Sequence, residues 1–475
     1  MTADPVLVGA DLGTSGLKVA ALGPDGAVVA EAERGYGVDR PQPGWAEIDV
    51  RVWRSALDEA LTELAGALAG RPVAALGLSG QMHGAVLVDG DGHPLAPALL
   101  WSDQRAAAEV GRWRALPEAD RAALANPLVP GMTGPLVAWL AGHRPELVGR
   151  AASVLLPKDA VRAVLLPGTD PAVTDRSDAS ATLLWDVPAD TWSAAAAAAA
   201  GVPVALLPAV RPGDEVRGTV RSPVGEVPVV TGGADTPLAL LAAGTTSGVQ
   251  VNLGSGAQLL RPVGRPDPAA DPVVHSYAAA AGGWYRMAAL QNAGTAWSWV
   301  RTVLGLDWPG LLGALETAEP GAGGVSFLPF LSGERGGVAA PSSRGSWAGL
   351  SEGTTRADLA RAAVEGVAFS LAAALELLGP LPAGEGVVVT GGGARSDAVQ
   401  QLLADVTGRG VRYAHVRSAS AAGAAVLAGR GVGVDLVPQR ALGPELQPRR
   451  VPGLLAARDR WTALAGVEPA GSGHR

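Results

Sequence analysis

One carboxylate stands alone in a long stretch of the sequence without other ionisable side chains. Asp235, in the segment GGADTP at 232–237, is the only ionisable residue between Val230 and Arg261. A glycine pair precedes it, and apolar runs flank the segment on both sides. Since no basic neighbour in the sequence neutralises this carboxylate, its role must depend on other parts of the chain.

Two similar turns carry small and hydroxyl residues directly after alternating apolar runs. The first is DLGTS at 11–15 and the second is NLGSG at 252–256, 241 positions later. Such turns expose backbone N–H groups and hydroxyls that bind phosphate, although each turn alone also fits a plain hairpin. Asp11 can hold a hydrated Mg²⁺ beside a phosphate or simply cap its turn. Because the turns occupy duplicated positions, together they favour a polyphosphate clamp.

A third glycine site lies in VVVTGGGARSDAVQQLLADVTG at 387–408. A β-branched strand runs into Gly391, Gly392 and Gly393, and Ser396 with Asp397 then begins an amphipathic helix. Three glycines let a planar base or a ribose approach the backbone, and a helix N-terminus can face phosphates. The pattern indicates a nucleotide site; close packing of the helix on the strand is the alternative.

Polar and aromatic residues follow two predicted strands within 77–106. Gln81, Met82 and His83 come directly after one strand, and Trp101 and Asp103 follow the next hairpin. A polyol site needs several hydroxyl partners and an apolar or aromatic face, which this set supplies. The six histidines show no H-x-H or H-E-x-x-H spacing, so no zinc site is predicted.

Charge and composition argue against several classes of protein. The net charge of −8 argues against nucleic-acid binding, and the lack of cysteine excludes disulfides and thiolate metal sites. Lys18 and Lys158 are the only lysines, and neither fits a Walker loop or a protein-kinase signature. Because the start lacks a secretory signal, we expect a cytoplasmic protein. Prolines interrupt the apolar stretch at 191–210, so we expect no membrane span there.

The elements that position these residues alternate between strands and helices, which predicts a mixed sheet with helices packed on it. The turn signal GPDG at 23–26 predicts a hairpin, and residues 52–70 have the apolar spacing of a helix. The repeated strand, turn and strand pattern predicts an internal duplication with its boundary near 242–247.

The chain resembles the FGGY carbohydrate kinases, and within them the branch that phosphorylates D-xylulose. The resemblance implies an α/β fold with two actin-like (RNase H-like) ATPase domains around a central cleft. It implies a sugar-binding N-terminal domain at 1–244, an ATP-binding C-terminal domain at 245–450 and a tail at 451–475. The matching motifs are DLGTSGLKV (11–19), GLSGQMHGAVLVD (77–89), LLWSDQR (99–105), LLPKD (155–159), TDRSDAS (174–180), FLPFLSGER (327–335) and GGGARS (391–396).

The resemblance also implies ligands and site residues. The ligands would be a sugar, ATP and Mg²⁺, without nucleic acid or membrane, and the assembly would be a homodimer. Met82 and His83 match the family's sugar-binding pair, with Gln81 beside them, while Asp103 would support the sugar site and Asp11 would lie near the metal. The ATP-binding residues would be Thr14, Ser15 and Lys18 in the first turn, Gly254, Ser255 and Gly256 in the second, and Gly391, Gly392, Gly393, Ala394 and Ser396 in the adenosine motif.

Asp235 takes the position of the family's catalytic base, where it also contacts the sugar. The implied reaction transfers the γ-phosphoryl group of MgATP to O5 of D-xylulose, giving D-xylulose 5-phosphate and ADP. Two alternatives stay open. One is an FGGY kinase for ribulose, another ketose or a polyol, and the other is a non-catalytic sugar or nucleotide sensor on the same fold.

Three segments depart from the family pattern, and they bear on the sugar more than on ATP. The family has small and amide side chains after the base, a second turn of the form LGTS, and a T-P-H segment after S-G-E-R. Here the corresponding residues are Thr236, Pro237 and Leu238 after the base, LGSG in the second turn, and Gly336, Gly337 and Val338 after S-G-E-R.

Overall fold

Two seven-stranded sheets organise the chain, one in each half. The computed structural model describes residues 4–334 and 337–467. The first half contains β1 Val6–Leu12, β2 Gly16–Leu22, β3 Val28–Gly35, β4 Glu47–Ile48, α1 Val50–Leu68, β5 Val73–Gly80, β6 Val86–Val88, β7 Ala98–Leu99, α2 Val110–Arg114, α3 Glu118–Ala123, α4 Thr133–His143, α5 Pro145–Val148, β8 Ser153–Leu155, α6 Pro157–Leu165, β9 Val173–Asp175, α7 Arg176–Ala179, β10 Trp185–Asp186, β11 Thr191–Trp192, α8 Ala194–Ala200, a 3₁₀ turn at Val204–Leu206, β12 Ala209–Arg211, β13 Val216–Ser222, β14 Gly225–Val230, β15 Gly233–Ala234 and α9 Asp235–Ala243.

The second half is built on the same plan with longer helices. Its longest helix, at Arg356–Leu377, is buried along most of its length within the core of this half. The elements are β16 Val249–Leu253, β17 Ala257–Val263, β18 His275–Ala278, β19 Trp284–Leu290, α10 Gly294–Val303, α11 Trp308–Thr317, a 3₁₀ turn at Ala322–Gly324, β20 Ser326–Leu328, β21 Ser346–Ala348, α12 Arg356–Leu377, β22 Val387–Thr390, a 3₁₀ turn at Gly392–Ala394, α13 Asp397–Thr407, β23 Val411–His415, α14 Ala419–Gly431, β24 Ala441–Leu446 and α15 Pro452–Ala465.

Both sheets repeat one strand arrangement. The first has the order β13-β14-β5-β1-β2-β3, in which β1 is antiparallel to β2 and parallel to β5, and its seventh strand, β15, pairs with β5 beside β14. The second has the order β18-β19-β17-β16-β22-β23-β24, in which β16 is antiparallel to β17 and parallel to β22. Since β1 and β16 hold equivalent positions, the sheet topology contains the duplication that the two turns predict.

Local sequence accounts for the elements next to these central strands. Nearly every residue of β1 is buried, as expected for a central strand with both faces covered. The GPDG turn closes the β2–β3 hairpin, with Gly26 at φ +78°. Asp49 caps α1 by accepting a hydrogen bond from Arg51 N, and the buried face of α1 packs in the core of the first half.

One helix of the second half packs on the first sheet. Helix α14 lies against β1, β5 and α9, and its alanines form a core cluster with residues of those elements. Close approach requires glycine in the strands, because a Cβ on Gly9 would lie 1.8 Å from Ala421 O and one on Gly77 would lie 2.0 Å from Ala424 O. Residues 419–431 fall in the range that the sequence assigns to the second domain, yet they pack on the sheet of the first domain.

The part of the predicted C-terminal tail that the structure describes packs against the rest of the second half. Within 451–475, residues 452–465 form α15, where Trp461 is buried and donates through Nε1 to Phe327 O at 2.9 Å. Residues 468–475 lie outside the described residues. None of the helices in the described ranges is long and apolar enough to cross a membrane.

Candidate active site

The two glycine turns lie at the tips of equivalent hairpins. Gly13 N donates to Gly16 O at 3.0 Å between β1 and β2, and Gly254 N donates to Gly256 O at 2.9 Å between β16 and β17. A backbone hydrogen bond from the first glycine therefore closes each turn, and the first turn is one residue longer than the second, because Leu12 pairs with Leu17 whereas Leu253 pairs with Ala257.

Asp235 is the first residue of α9 and follows the glycine pair after one residue, Ala234. Gly232 has φ +88°, and a Cβ there would lie 2.2 Å from Leu78 O, so only glycine can take this path. Thr236 donates its N–H to Asp235 Oδ1 at 2.6 Å and its hydroxyl to the same oxygen at 3.2 Å. Desolvation and the charge of Asp11 nevertheless raise the pKa of Asp235 to about 7. A carboxyl that titrates there suits a general base.

Asp11 is the second carboxylate of the site and lies half-buried near the end of β1. The Ser79 hydroxyl donates to Asp11 Oδ1 at 2.7 Å. Burial raises the pKa of Asp11, while the Ser79 hydrogen bond and the Lys18 charge lower it in part. Lys18 itself forms an ion pair with Glu33 at 3.2 Å. Asp11 offers carboxylate oxygen, the ligand type that a hydrated Mg²⁺ prefers.

Two cavities meet at Thr236 and Gln258, because these two residues line both of them. We call them the Asp11 cavity, of about 450 Å³, and the Asp235 cavity, of about 430 Å³, each after one aspartate in its lining. A chemical group transferred from a ligand in one cavity to a ligand in the other would cross the region where the two cavities meet, at Thr236 and Gln258.

The Asp11 cavity receives the start of the glycine triplet. Lys18, Gly391 and Gly392 line this cavity. Gly391 has φ +89°, and a Cβ there would lie 2.6 Å from Leu253 O, so the triplet both packs closely on β16 and exposes backbone to the cavity. The remaining predicted residues line neither of the two cavities: Gly393, Ala394 and Ser396 after β22, Ser15 in the first turn, and Gly254, Ser255 and Gly256 in the second.

The Asp235 cavity collects the residues predicted to recognise a polyol. Gln81, Met82 and His83 line it together with Trp101, whose Nε1 donates to Thr14 Oγ1 at 3.0 Å. His83 has φ +66°, an uncommon value for a residue other than glycine, of the kind that clusters at functional sites. Its Nδ1 lies 2.6 Å from a backbone carbonyl oxygen, which places the hydrogen on Nδ1. The cavity thus combines polar groups with an aromatic and thioether wall.

Asp103 is placed differently from the other predicted sugar-site residues. It is fully buried and lines neither cavity. Its carboxylate accepts hydrogen bonds from Ala46 N at 2.6 Å and from Arg105 Nη2 at 2.7 Å. The Arg105 guanidinium in turn lies 3.6 Å from the centre of the Trp45 ring. Asp103 therefore fixes the loop that carries Trp101 and has no direct path to a ligand.

The structure explains two of the departures after the base. Pro237 is the third residue of α9, where a backbone N–H has no partner within the helix, so proline costs no hydrogen bond there. Leu238 is buried and faces α14, where its carbonyl oxygen would be 2.1 Å from a Cβ on Gly423. Of the three substituted residues, Thr236 alone lines the cavities. In the departing segment after S-G-E-R, Gly336 lies outside the described residues.

Several lining residues were not assigned from the sequence, among them Gln258, Arg395 and His275. Gln258 follows the second turn by two residues and lies at the junction, which the strand alternation after that turn could have indicated. Arg395 directly follows the glycine triplet and lines the Asp11 cavity. His275 reaches the Asp235 cavity from β18, and no local signal in the sequence connects it with that site.

Family models and known proteins match the chain over most of its length. The models of the N-terminal and C-terminal domains of the FGGY family of carbohydrate kinases match residues 6–242 and 239–432. The xylulose kinase of Escherichia coli (strain K12) is 35% identical over 452 residues, covering 92% of this chain and 91% of that protein. The xylulose kinase of Streptomyces rubiginosus is 36% identical over 438 residues, covering 89% and 87%.

A solved structure extends the likeness to three dimensions. The crystal structure of xylulose kinase from Rhodospirillum rubrum superposes with a TM-score of 0.87 at 26% identity, covering 97% of each chain. Sugar kinases of this kind have the actin-like ATPase fold, and the predicted α/β fold of two such domains is confirmed.

Proposed function

Because the chain belongs to the FGGY family of carbohydrate kinases, and is therefore a phosphotransferase that acts on a sugar, we propose that its substrate is D-xylulose. The reaction would transfer the γ-phosphoryl group of MgATP to O5, giving D-xylulose 5-phosphate and ADP. The observation that carries this proposal is the position of Asp235 in the cavity of about 430 Å³ that holds the predicted sugar-site residues, next to Thr236, which also lines the Asp11 cavity.

Asp235 acts as the general base in this proposal. A neutral alcohol is a poor nucleophile, and a carboxylate within hydrogen-bond reach orients the hydroxyl and accepts its proton during transfer. Thr236 holds Asp235 Oδ1 through two hydrogen bonds, which leaves Oδ2 to face the sugar hydroxyl. General-base assistance of this kind contributes about 10² to 10⁴-fold in rate.

Residues of both halves would hold the nucleotide in the Asp11 cavity. Gly391 and Gly392 offer backbone to the adenosine, and Lys18 and Arg395 supply positive charge for the phosphates. Asp11 would hold Mg²⁺ through water, and the metal would neutralise charge on the phosphates when bound. The second turn would donate backbone N–H groups to the phosphates once the two halves approach each other.

The Asp235 cavity would select a ketopentose through its mixed lining. Gln81 and His83 offer polar groups for sugar hydroxyls, while Met82 and Trp101 form an apolar face for the carbon chain. The curated relatives named above are xylulose kinases, which favours D-xylulose over other ketoses. We expect a homodimer, as the family resemblance implies.

A coupled ADP-release assay with MgATP tests the substrate. The panel contains D-xylulose, D-ribulose, L-ribulose, L-xylulose, D-fructose and glycerol, and we expect the highest kcat/KM with D-xylulose. A clear preference for another member of the panel would reassign the substrate within the family. ATP binding without turnover on any sugar would instead support a sensor.

A further inference from the structure

A buried ion cluster lies beneath the glycine pair that precedes Asp235. Lys158 Nζ lies 2.6 Å from Asp159 Oδ1, 3.0 Å from Asp175 Oδ1 and 2.9 Å from Asp178 Oδ2. Arg162 joins the cluster through Nη1, 2.6 Å from Asp159 Oδ1. These side chains are at most 3% exposed, and none of them lines the Asp11 or the Asp235 cavity.

Burying this many charged side chains in a protein core carries a large desolvation penalty. Burial opposes the charge on Lys158, but the surrounding carboxylates raise the pKa of its ammonium above the ordinary value. Buried ion pairs are often no more stabilising than apolar residues of the same size, because desolvation offsets their attraction. The cluster therefore calls for a role other than stability alone.

Hydrogen bonds connect the cluster to both ends of the glycine pair. Arg162 Nη1 donates to Thr231 O at 2.8 Å, immediately before Gly232. Ala234 N, immediately after Gly233, donates to Ser177 Oγ at 3.0 Å. The segment that turns from β14 into α9 is thus held on either side by the same buried group of residues.

The Ser177 hydroxyl is itself oriented by the cluster. It donates to Asp175 Oδ2 at 2.5 Å, and Ser177 N donates to the same oxygen at 2.7 Å. Asp175 Oδ1 faces Lys158. With its own hydrogen directed at Asp175, the Ser177 oxygen presents a lone pair to Ala234 N, one residue before Asp235.

We propose that Ser177 is a positioning residue for the catalytic base, because its hydroxyl, oriented by Asp175 and Lys158, fixes the backbone at Ala234 from which Asp235 projects. This inference rests on the proposed function of Asp235. Catalytic groups must be held within about 0.5 Å of their productive position, and a misplacement of about 1 Å costs roughly 100-fold in rate. The cluster supplies a rigid support of that kind.

Ser177→Ala tests the inference, and Ser193→Ala is a matched control. Ser193 Oγ also accepts a backbone N–H at a helix start, from Ala196 at 3.2 Å, and it lines neither cavity. Both changes remove the acceptor of a backbone N–H, so both should lower the melting temperature. We expect Ser177→Ala to lower kcat about 10 to 100-fold while leaving KM for MgATP within about twofold. Ser193→Ala should leave both parameters within about twofold of the wild type.

A double substitution separates action through Asp235 from a general structural defect. In the Asp235→Asn background, Ser177→Ala should reduce the residual transfer rate by less than about twofold, because the group that it positions is already disabled. If Ser177→Ala yields no folded protein, Ser177→Cys keeps the side-chain size with a weaker acceptor and should show a smaller fall in kcat.

The outcomes distinguish this inference from the proposed function. Wild-type kcat in folded Ser177→Ala, with Asp235→Asn inactive, overturns the positioning role and leaves the base assignment intact. Equal losses of kcat in Ser177→Ala and Ser193→Ala also overturn it. Failure of the wild-type protein to phosphorylate any sugar would refute the proposed function itself.

Discussion

The Asp235→Asn substitution tests the raised pKa of Asp235 through its effect on the free energy of unfolding, without a measurement of catalysis. Desolvation, with a contribution from Asp11, raises the pKa of Asp235 to about 7 in the folded protein, against about 3.9 in an unfolded chain. A carboxyl whose pKa is raised on folding stabilises the fold fully below the unfolded value. It loses that contribution as the pH rises through the folded value. The wild-type protein should lose this contribution toward neutral pH, and the asparagine variant has no such contribution to lose.

The size of the effect follows from the two pKa values. A difference of about 3 units at about 1.36 kcal/mol per unit amounts to roughly 4 kcal/mol over the whole titration. The part lost between about pH 5.5 and about pH 8 is roughly 2 kcal/mol, since at the lower pH the folded-state carboxyl is still largely protonated.

Urea unfolding of the wild type and of Asp235→Asn at these two pH values measures the effect. We expect the free energy of unfolding of the variant, relative to the wild type, to be about 2 kcal/mol higher at the upper pH than at the lower one. Asp459→Asn removes an exposed carboxylate outside the site and serves as the control variant. A pH-independent difference for Asp235→Asn, or one that shrinks at the upper pH, would refute the raised pKa.

Three further expectations concern catalysis and packing. The kcat/KM for the sugar should fall about tenfold per pH unit below about pH 7 and level off above it, because only ionised Asp235 accepts the proton; a flat pH profile would count against this. Thr236→Val removes a hydroxyl that donates to Asp235, so the pKa of Asp235 should rise and this limb of the pH profile should move to higher pH. Gly9→Ala places a Cβ 1.8 Å from Ala421 O and should lower stability by at least about 1–3 kcal/mol in thermal denaturation. Gly66→Ala, which has open space, should not lower stability, and equal melting temperatures for the two variants would contradict the close packing of α14.

Features of the fold that depend on local pattern could be predicted from the sequence. The GPDG hairpin, the helix after β4 and the helix that begins at Asp397 all occur where turn chemistry and apolar spacing place them. The duplicated turns predict the repeated sheet topology, because a hairpin followed by a parallel strand leaves the same signature in both halves. Asp235 stood out because its sequence neighbourhood has no other charge.

Contacts between distant segments could not be predicted in this way. The burial of Asp103 depends on Ala46, 57 residues earlier in the chain, which no spacing rule connects with it. The return of α14 to the first sheet depends on the match of its alanines with Gly9, which appears only when the strands are assembled. His275 reaches the Asp235 cavity from β18, and no local signal in its sequence indicates that position.

Product analysis with the wild type and Asp235→Asn tests the central claim most directly. Each protein is mixed with MgATP and D-xylulose, and ³¹P NMR follows ADP and sugar phosphate while a separate titration measures ATP binding. We expect the wild type to form one D-xylulose 5-phosphate for each ADP. The variant should bind ATP normally and transfer the phosphoryl group about 10² to 10⁴-fold more slowly. Near-normal transfer by the variant, or ADP release by the wild type without a phosphorylated sugar, would contradict the account.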